Sequence, residues 1–279
     1  MNARRLLVPA VALVTLLAAP LVAGPPVAPK TMELGRGPAV VILHDLGGTR
    51  LNWMPTVRRL IADPRVVLVD LPGHGDSALP DPFSLEAAAQ AVDQVLAKQN
   101  PDSTVLVGKG MGGLVALIAL QAHPERVRWL VLIDAAAKPP IKVDDQQMKM
   151  FVEWMDQNYD EFVKAIYTKM GRDSAQGVAI HALAAQTPSV TMKAYLRAAM
   201  TADGSQVLKS AKIPLLYLGS DRVLQGKDWA VAGKEIGFDD PSLVPFKRIA
   251  NTGYLMQQEQ PDSLAAAIAE FEARVIAKR

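Results

Sequence analysis

The sequence predicts an α/β domain with a mostly parallel central sheet flanked by helices and a single helical insertion. Three observations carry that prediction. Short apolar runs rich in Val, Leu and Ile alternate with longer segments of helical periodicity along most of the 279 residues. The runs are near-continuously hydrophobic, as strands covered on both faces are. Finally, the alternation fails once, between residues 138 and 208, where only helical pattern is found.

In chain order, Lys30–Leu34 and the turn Gly35-Arg36-Gly37-Pro38 predict an edge hairpin leading into a first central strand, Ala39–Asp45. Further strands are predicted at Arg65–Leu71, Thr104–Lys109, Val127–Asp134, Ile213–Gly219 and Leu243–Ala250, with helices near Trp53–Ala62, Leu85–Gln99, Met111–Ala122 and Pro261–Ala277. Within the insertion, Met148, Phe151, Trp154, Met155, Tyr159, Phe162, Ile166, Tyr167 and Met170 recur at helix-compatible spacing. Most of these side chains are expected to pack on one another. As a lid over the carboxyl ends of the strands, they would also offer adaptable Met and aromatic groups to an apolar ligand. The expected division is residues 30–137 and 209–279 as core and 138–208 as helical lid. No internal repeat is visible.

The first residues carry a compartment signal. Arg4 and Arg5 precede an uncharged apolar run, Leu6–Ala23, followed by Gly24-Pro25-Pro26. A basic start, an apolar middle and small residues at the end describe a secretory leader, residues 1–23. The chain is therefore expected to be exported, periplasmic or secreted. If the leader stays uncleaved, residues 6–23 are long enough to anchor it to a membrane.

Composition excludes several function classes. The formal net charge of +2 is accounted for by the two leader arginines, so the rest is balanced and lacks the basic surplus of a nucleic-acid binder. No cysteine is present, which removes disulfides, thiol nucleophiles and thiolate metal sites. The four histidines (His44, His74, His123, His181) form no H-x-x-x-H pair, so no metal site is expected. No cofactor is expected either.

Four segments then fall in order. His44-Asp45-Leu46-Gly47-Gly48-Thr49 follows the first central strand, Asp70-Leu71-Pro72-Gly73-His74-Gly75-Asp76-Ser77 the second, and Gly108-Lys109-Gly110-Met111-Gly112-Gly113 the third. Near the end stand Asn251-Thr252-Gly253-Tyr254, Glu259 and Pro261. Together they resemble the α/β-hydrolase fold family, over roughly residues 30–278. The matches are to its H-G-x-G-G oxyanion loop, its D-x-x-G-x-G-x-S turn, its G-x-S-x-G-G nucleophile elbow and its Gly-His before E-x-P.

The resemblance implies a Ser-His-Asp triad, yet two positions depart from it. Gly110 stands where the elbow carries Ser, so no acyl-enzyme can form there. Glycine tolerates the strained backbone of such a turn, so the turn itself is expected to survive. Tyr254 stands where His is implied, and a phenol titrating near ~10 is a poor general base. Asp221, in Leu218-Gly219-Ser220-Asp221, matches the acid position, although it reads equally well as a turn or helix-cap aspartate. Asp134 is a second acid at a strand end. Asp45 departs from the loop's usual Gly. The resemblance further implies that the oxyanion hole uses the backbone N–H groups of Leu46 and Met111. These need no particular side chain and are expected to persist, offered to a ligand oxygen.

Two short motifs lead elsewhere. Gly75-Asp76-Ser77 spells the start of a G-D-S-L hydrolase motif, and His74 offers itself as a base, but their setting fits a structural turn better. Gly108, Gly110 and Gly113 spell G-x-G-x-x-G between strand and helix, with Asp134 21 residues further on. That is the context of a dinucleotide fingerprint, with pyrophosphate on the helix N-terminus. Two strands precede it, however, and the neighbouring segments match hydrolases.

The function these residues predict is an exported hydrolase-fold protein without Ser-His catalysis, binding a small apolar carbonyl or carboxylate compound near Gly110, Tyr254, Leu46 and Met111. The alternatives are an active hydrolase or lyase working through a non-standard site, a dinucleotide-binding protein, and a purely structural exported protein. No nucleic-acid partner is expected, and membrane contact only through the leader.

Overall fold

The computed structural model describes residues 27–60, 64–139, 143–210 and 212–276. The expected leader, residues 1–23, lies outside them. The strands are β1 (Thr31–Gly35), β2 (Ala39–Leu43), β3 (Arg65–Val69), β4 (Val105–Lys109), β5 (Trp129–Ile133), β6 (Leu215–Ser220) and β7 (Phe246–Ile249). They form one sheet in the order β1-β3-β2-β4-β5-β6-β7, parallel except for β1.

One expectation is corrected. β1 and β2 are not a hairpin: β1 pairs antiparallel with β3, from Thr31↔Val69 to Gly35↔Arg65. The reason is the place of β2, whose two edges are already taken by β3 and β4. The edge left for an antiparallel strand is the outer side of β3, and the glycine-rich 35–38 segment carries the chain across the Arg65 end of β3 into β2.

The helices are α1 (Met54–Leu60), α2 (Leu85–Leu96), α3 (Met111–Ala122), α4 (Asp145–Gln157), α5 (Tyr159–Thr168), α6 (Ser174–Ala184), α7 (Ser189–Ala199), α8 (Ser205–Ser210), α9 (Asp221–Leu224), α10 (Trp229–Glu235), α11 (Met256–Glu259) and α12 (Pro261–Ile276). Alternate residues of each strand serve opposite faces. Val41, Leu43, Val67, Val69 and Leu106 meet α2 and α3 on one face. Val40, Ile42, Val66, Leu68 and Val105 meet Trp53, Val57, Leu264 and Ile268 on the other. Each such Val, Leu or Ile contributes about 1.5–3 kcal/mol by leaving water. Helix α3 is apolar nearly all round because it is wedged between sheet and neighbouring helices.

Helices α4–α7 occupy the stretch that lacks strands. The ends of this insertion are pinned together by Gly204 N–H donating to the Ala137 carbonyl, 2.8 Å. Tyr195 on α7 donates to the Pro72 carbonyl at 3.0 Å, and Thr191 Oγ1 to the Gly73 carbonyl at 3.1 Å. Tyr167 on α5 donates to the Leu46 carbonyl at 3.0 Å. The insertion thus covers the loops that follow β2 and β3. Its aromatic residues largely meet each other: Phe162 is edge-on to both Phe151 and Trp154. Met150 and Trp154 face solvent.

Candidate functional site

The turn from β4 into α3 holds Gly110 at φ 51°, ψ −118°, a conformation that side-chain-bearing residues rarely adopt. The elbow geometry is therefore present without a nucleophile. The chains around it touch: a Cβ on Gly108 would lie 2.6 Å from Gly113 Cα, and one on Gly113 2.3 Å from Ala135 Cβ. Close packing of strand, turn and helix accounts for these glycines without any nucleotide.

The Leu46 and Met111 N–H groups do converge, but not on open space. Both donate to Asp45 Oδ1, at 2.7 and 2.8 Å. Lys109 Nζ lies 3.2 Å from the other oxygen, Asp45 Oδ2. The expectation of a hole offered to a ligand is corrected accordingly: an internal carboxylate fills it. Two features of the chain make this possible. Asp45 directly precedes one donor, and residue 110 has no Cβ. A Cβ there would fall 2.1 Å from Asp45 Oδ1 and 2.2 Å from its Cγ.

The charges are matched in place. The Lys109 side chain is 2% exposed and that of Asp45 18%. Burial works to raise the Asp45 carboxyl, but the Lys109 ammonium and the Met111 and Leu46 N–H groups outweigh it and hold the group below the ordinary carboxylate range. Lys109 also lies 4.1 Å from the centre of the Tyr254 ring, in cation–π contact.

Tyr254, at the implied base position, is buried. Burial pushes its hydroxyl well above the ordinary phenol range, so it is no base at neutral pH. The hydroxyl donates to the Leu46 carbonyl at 3.0 Å, the same oxygen that Tyr167 uses. The space between these groups and α6 is about 10 Å³, room for at most one water. A groove of about 1170 Å³ is found instead at the far end of β5 and β6, lined by Leu130, Leu215 and Phe238 among others.

Asp221 and the Tyr254 hydroxyl have different hydrogen-bond partners. The Asp221 oxygens accept from Arg248 Nε at 2.6 Å and from Asn251 N–H at 2.8 Å, so it ties β6 to β7's exit. Asp134 Oδ1 accepts from Ser220 N–H at 2.8 Å, tying β5 to β6. Burial pushes its carboxyl up despite the nearby Lys109. Ser77 and His74 are structural, as their setting suggested. Ser77 Oγ donates to the Asp70 carbonyl and accepts from Lys30 N–H, both 2.8 Å. His74 is buried, and burial lowers it to about 3.

The site is thus Asp45, Lys109, Gly110, Leu46, Met111, Tyr254 and Tyr167. Sequence reading alone assigns Lys109 no role at the site and names Tyr167 only as one of the insertion's periodic apolar and aromatic residues. The signal available was a pair of opposite-sign anomalies: a lysine ending an apolar strand beside the elbow, and an aspartate where the loop usually has Gly.

Comparison with known proteins agrees with the architecture. A sequence profile described as the alpha/beta hydrolase fold matches residues 38–165. A pimeloyl-[acyl-carrier protein] methyl ester esterase of Citrobacter koseri is 32% identical over 193 residues, covering 64% of this chain and 73% of that protein. One of the same description from Pseudoalteromonas atlantica is 32% identical over 158 residues, 53% of this chain and 59% of the relative. Across four such relatives the chain spans only 30% to 59% of their length. Among solved structures, a hydrolase from Oleispira antarctica superposes with a TM-score of 0.72 at 17% identity, covering 87% of this chain and 94% of that one. A bromoperoxidase from Bacillus anthracis gives 0.70 at 17% identity, covering 86% and 94%. At such identities the structures speak to the fold alone.

Proposed function

This chain is a member of the α/β-hydrolase fold family, and from that premise we propose that it is an exported protein acting without serine-dependent ester hydrolysis, by binding rather than by turnover. The observation that supports this most strongly is Asp45. Its carboxylate occupies both the Leu46 and Met111 donors and the space of a nucleophile's Cβ at position 110. With no hydroxyl at 110 and a buried phenol at 254, attack and proton transfer lack their groups, and the oxyanion donors are already taken by Asp45.

A small carbonyl or carboxylate compound remains the ligand class that the donors fit, since they already hold a carboxylate. Such a ligand would enter under the insertion, acting as a lid, by taking the place of the Asp45 side chain. Space of about 10 Å³ favours a small head group over a long apolar tail. The dinucleotide alternative is disfavoured because the α3 N-terminus, where a pyrophosphate would sit, is engaged by Asp45.

The test is incubation of the purified protein with a fluorophosphonate, followed by mass spectrometry, alongside an ester panel that includes a carrier-linked pimeloyl methyl ester. We expect no adduct in this pocket and hydrolysis at the buffer rate. Stoichiometric labelling, or turnover that survives repurification, sinks the proposal and revives the active-hydrolase alternative.

A further inference from the structure

We propose that the former oxyanion hole is an anion site whose resident ligand is the chain's own Asp45 carboxylate, held there as an autoinhibitory plug that only a small monocarboxylate can replace. Three independent features of the geometry meet on this one side chain. The Leu46 and Met111 N–H groups, which come from two different loops, take the same oxygen at 2.7 and 2.8 Å, as two donors take one oxyanion. A buried ammonium, Lys109 Nζ, approaches the second oxygen at 3.2 Å. The vacancy that admits the plug is the missing Cβ of Gly110, since any side chain there would overlap the carboxylate at 2.1–2.3 Å.

These features predict what the site accepts. Two convergent N–H donors and one cation match a carboxylate, with one oxygen on the N–H pair and one facing the ammonium. Removing the Asp45 side chain leaves Lys109 buried without its counter-charge and the two N–H groups without an acceptor. A free carboxylate small enough for the vacated volume, formate or acetate, would meet both needs. A bulkier ligand would first have to displace Tyr167 and Ala184, which lie against Gly47. The plug and a side chain at position 110 exclude each other, so their substitutions must be coupled.

The test is chemical rescue. Asp45→Gly should be less stable than the parent. Formate or acetate should restore its stability saturably, by roughly a hundred-fold in the folding equilibrium at one hundred times the Kd, whereas chloride should not. The parent, in which the ligand must first displace Asp45, should respond only at far higher concentrations. Asp45→Gly/Lys109→Met should lose the response. In a double-mutant cycle, Gly110→Ser should cost about ten-fold less in the folding equilibrium in the Asp45→Gly background than in the parent. Should Asp45→Gly fail to fold, the parent still answers by NMR. The Leu46 and Met111 amide protons should lie downfield and both move upfield in Asp45→Asn.

Absence of a carboxylate response in folded Asp45→Gly, an equal response in the parent, or amide protons indifferent to Asp45→Asn overturns the inference. It rests on reading the site as non-hydrolytic, and the two fail separately. Ester turnover by the parent defeats that reading, while an inert parent whose Asp45→Gly variant ignores acetate defeats only this one.

Discussion

A lysine ammonium with 2% of its side chain exposed needs an opposite charge close by, because leaving it unpaired in a low-dielectric interior costs several kcal/mol. Lys109 meets that need with Asp45 and the face of Tyr254. Whether such a buried pair adds net stability is one question; breaking it from one side is another, and there the sign is clear. We expect Lys109→Met to lower stability by roughly 3 kcal/mol, since it strands the Asp45 carboxylate. Lys109→Met combined with Asp45→Asn should lose less than the sum of the two single changes. Urea denaturation of the four proteins checks this, and strictly additive losses would show that the two groups do not form a pair.

At the scale of elements, buried hydroxyl contacts on loop carbonyls join the helical insertion to the core beside its apolar packing there. Tyr167 from α5 and Tyr254 from the loop after β7 both donate to the Leu46 carbonyl at 3.0 Å, with their rings 6.0 Å apart and edge-on. A carbonyl oxygen has two lone pairs, and here both are used. Removing one hydroxyl still leaves the buried oxygen a partner; removing both leaves it unpaired. We therefore expect Tyr167→Phe and Tyr254→Phe each to cost under about 1 kcal/mol, and the double variant roughly 1–3 kcal/mol beyond their sum. Thermal unfolding of the set reads this directly. A double variant that is merely additive would mean that the two phenols hold the loop independently.

The whole molecule carries two histidines whose burial couples its stability to pH. Burial lowers His44 to about 4 and His74 to about 3. In each ring Nε2 accepts a backbone N–H, from Leu71 at 3.0 Å and Gly47 at 3.4 Å, which a protonated ring could not do. The folded chain thus keeps both rings neutral where the unfolded chain, titrating near 6.5, takes up protons. Stability present at pH 7 should be lost as pH falls from 6.5 through about 4, by up to roughly 1.4 kcal/mol per pH unit per histidine. Denaturant titrations at stepped pH should give that slope, and His74→Gln should remove one histidine's share. A flat profile over this window would show that the two rings are not buried as neutral groups.

The sequence by itself determined the parallel sheet, the helical insertion and the lack of a side chain at residue 110. Each rests on local information: apolar runs of strand length, a helical period sustained over residues 138–208, and the identity of residue 110. Helix α3 runs from Met111 to Ala122, as its pattern predicted. The partners of β1, the destination of the Asp45 carboxylate and the company of Lys109 were decided only by the tertiary structure. Asp45 and Lys109 stand 64 positions apart, and β2 and β4 bring them together as neighbouring strands of the sheet. The resemblance implied that the Leu46 and Met111 N–H groups would converge, and the structure brings both onto one oxygen. The resemblance did not show that the convergence point was occupied. Occupancy depends on distances of a few ångströms between residues from different strands, and those are fixed when the sheet assembles.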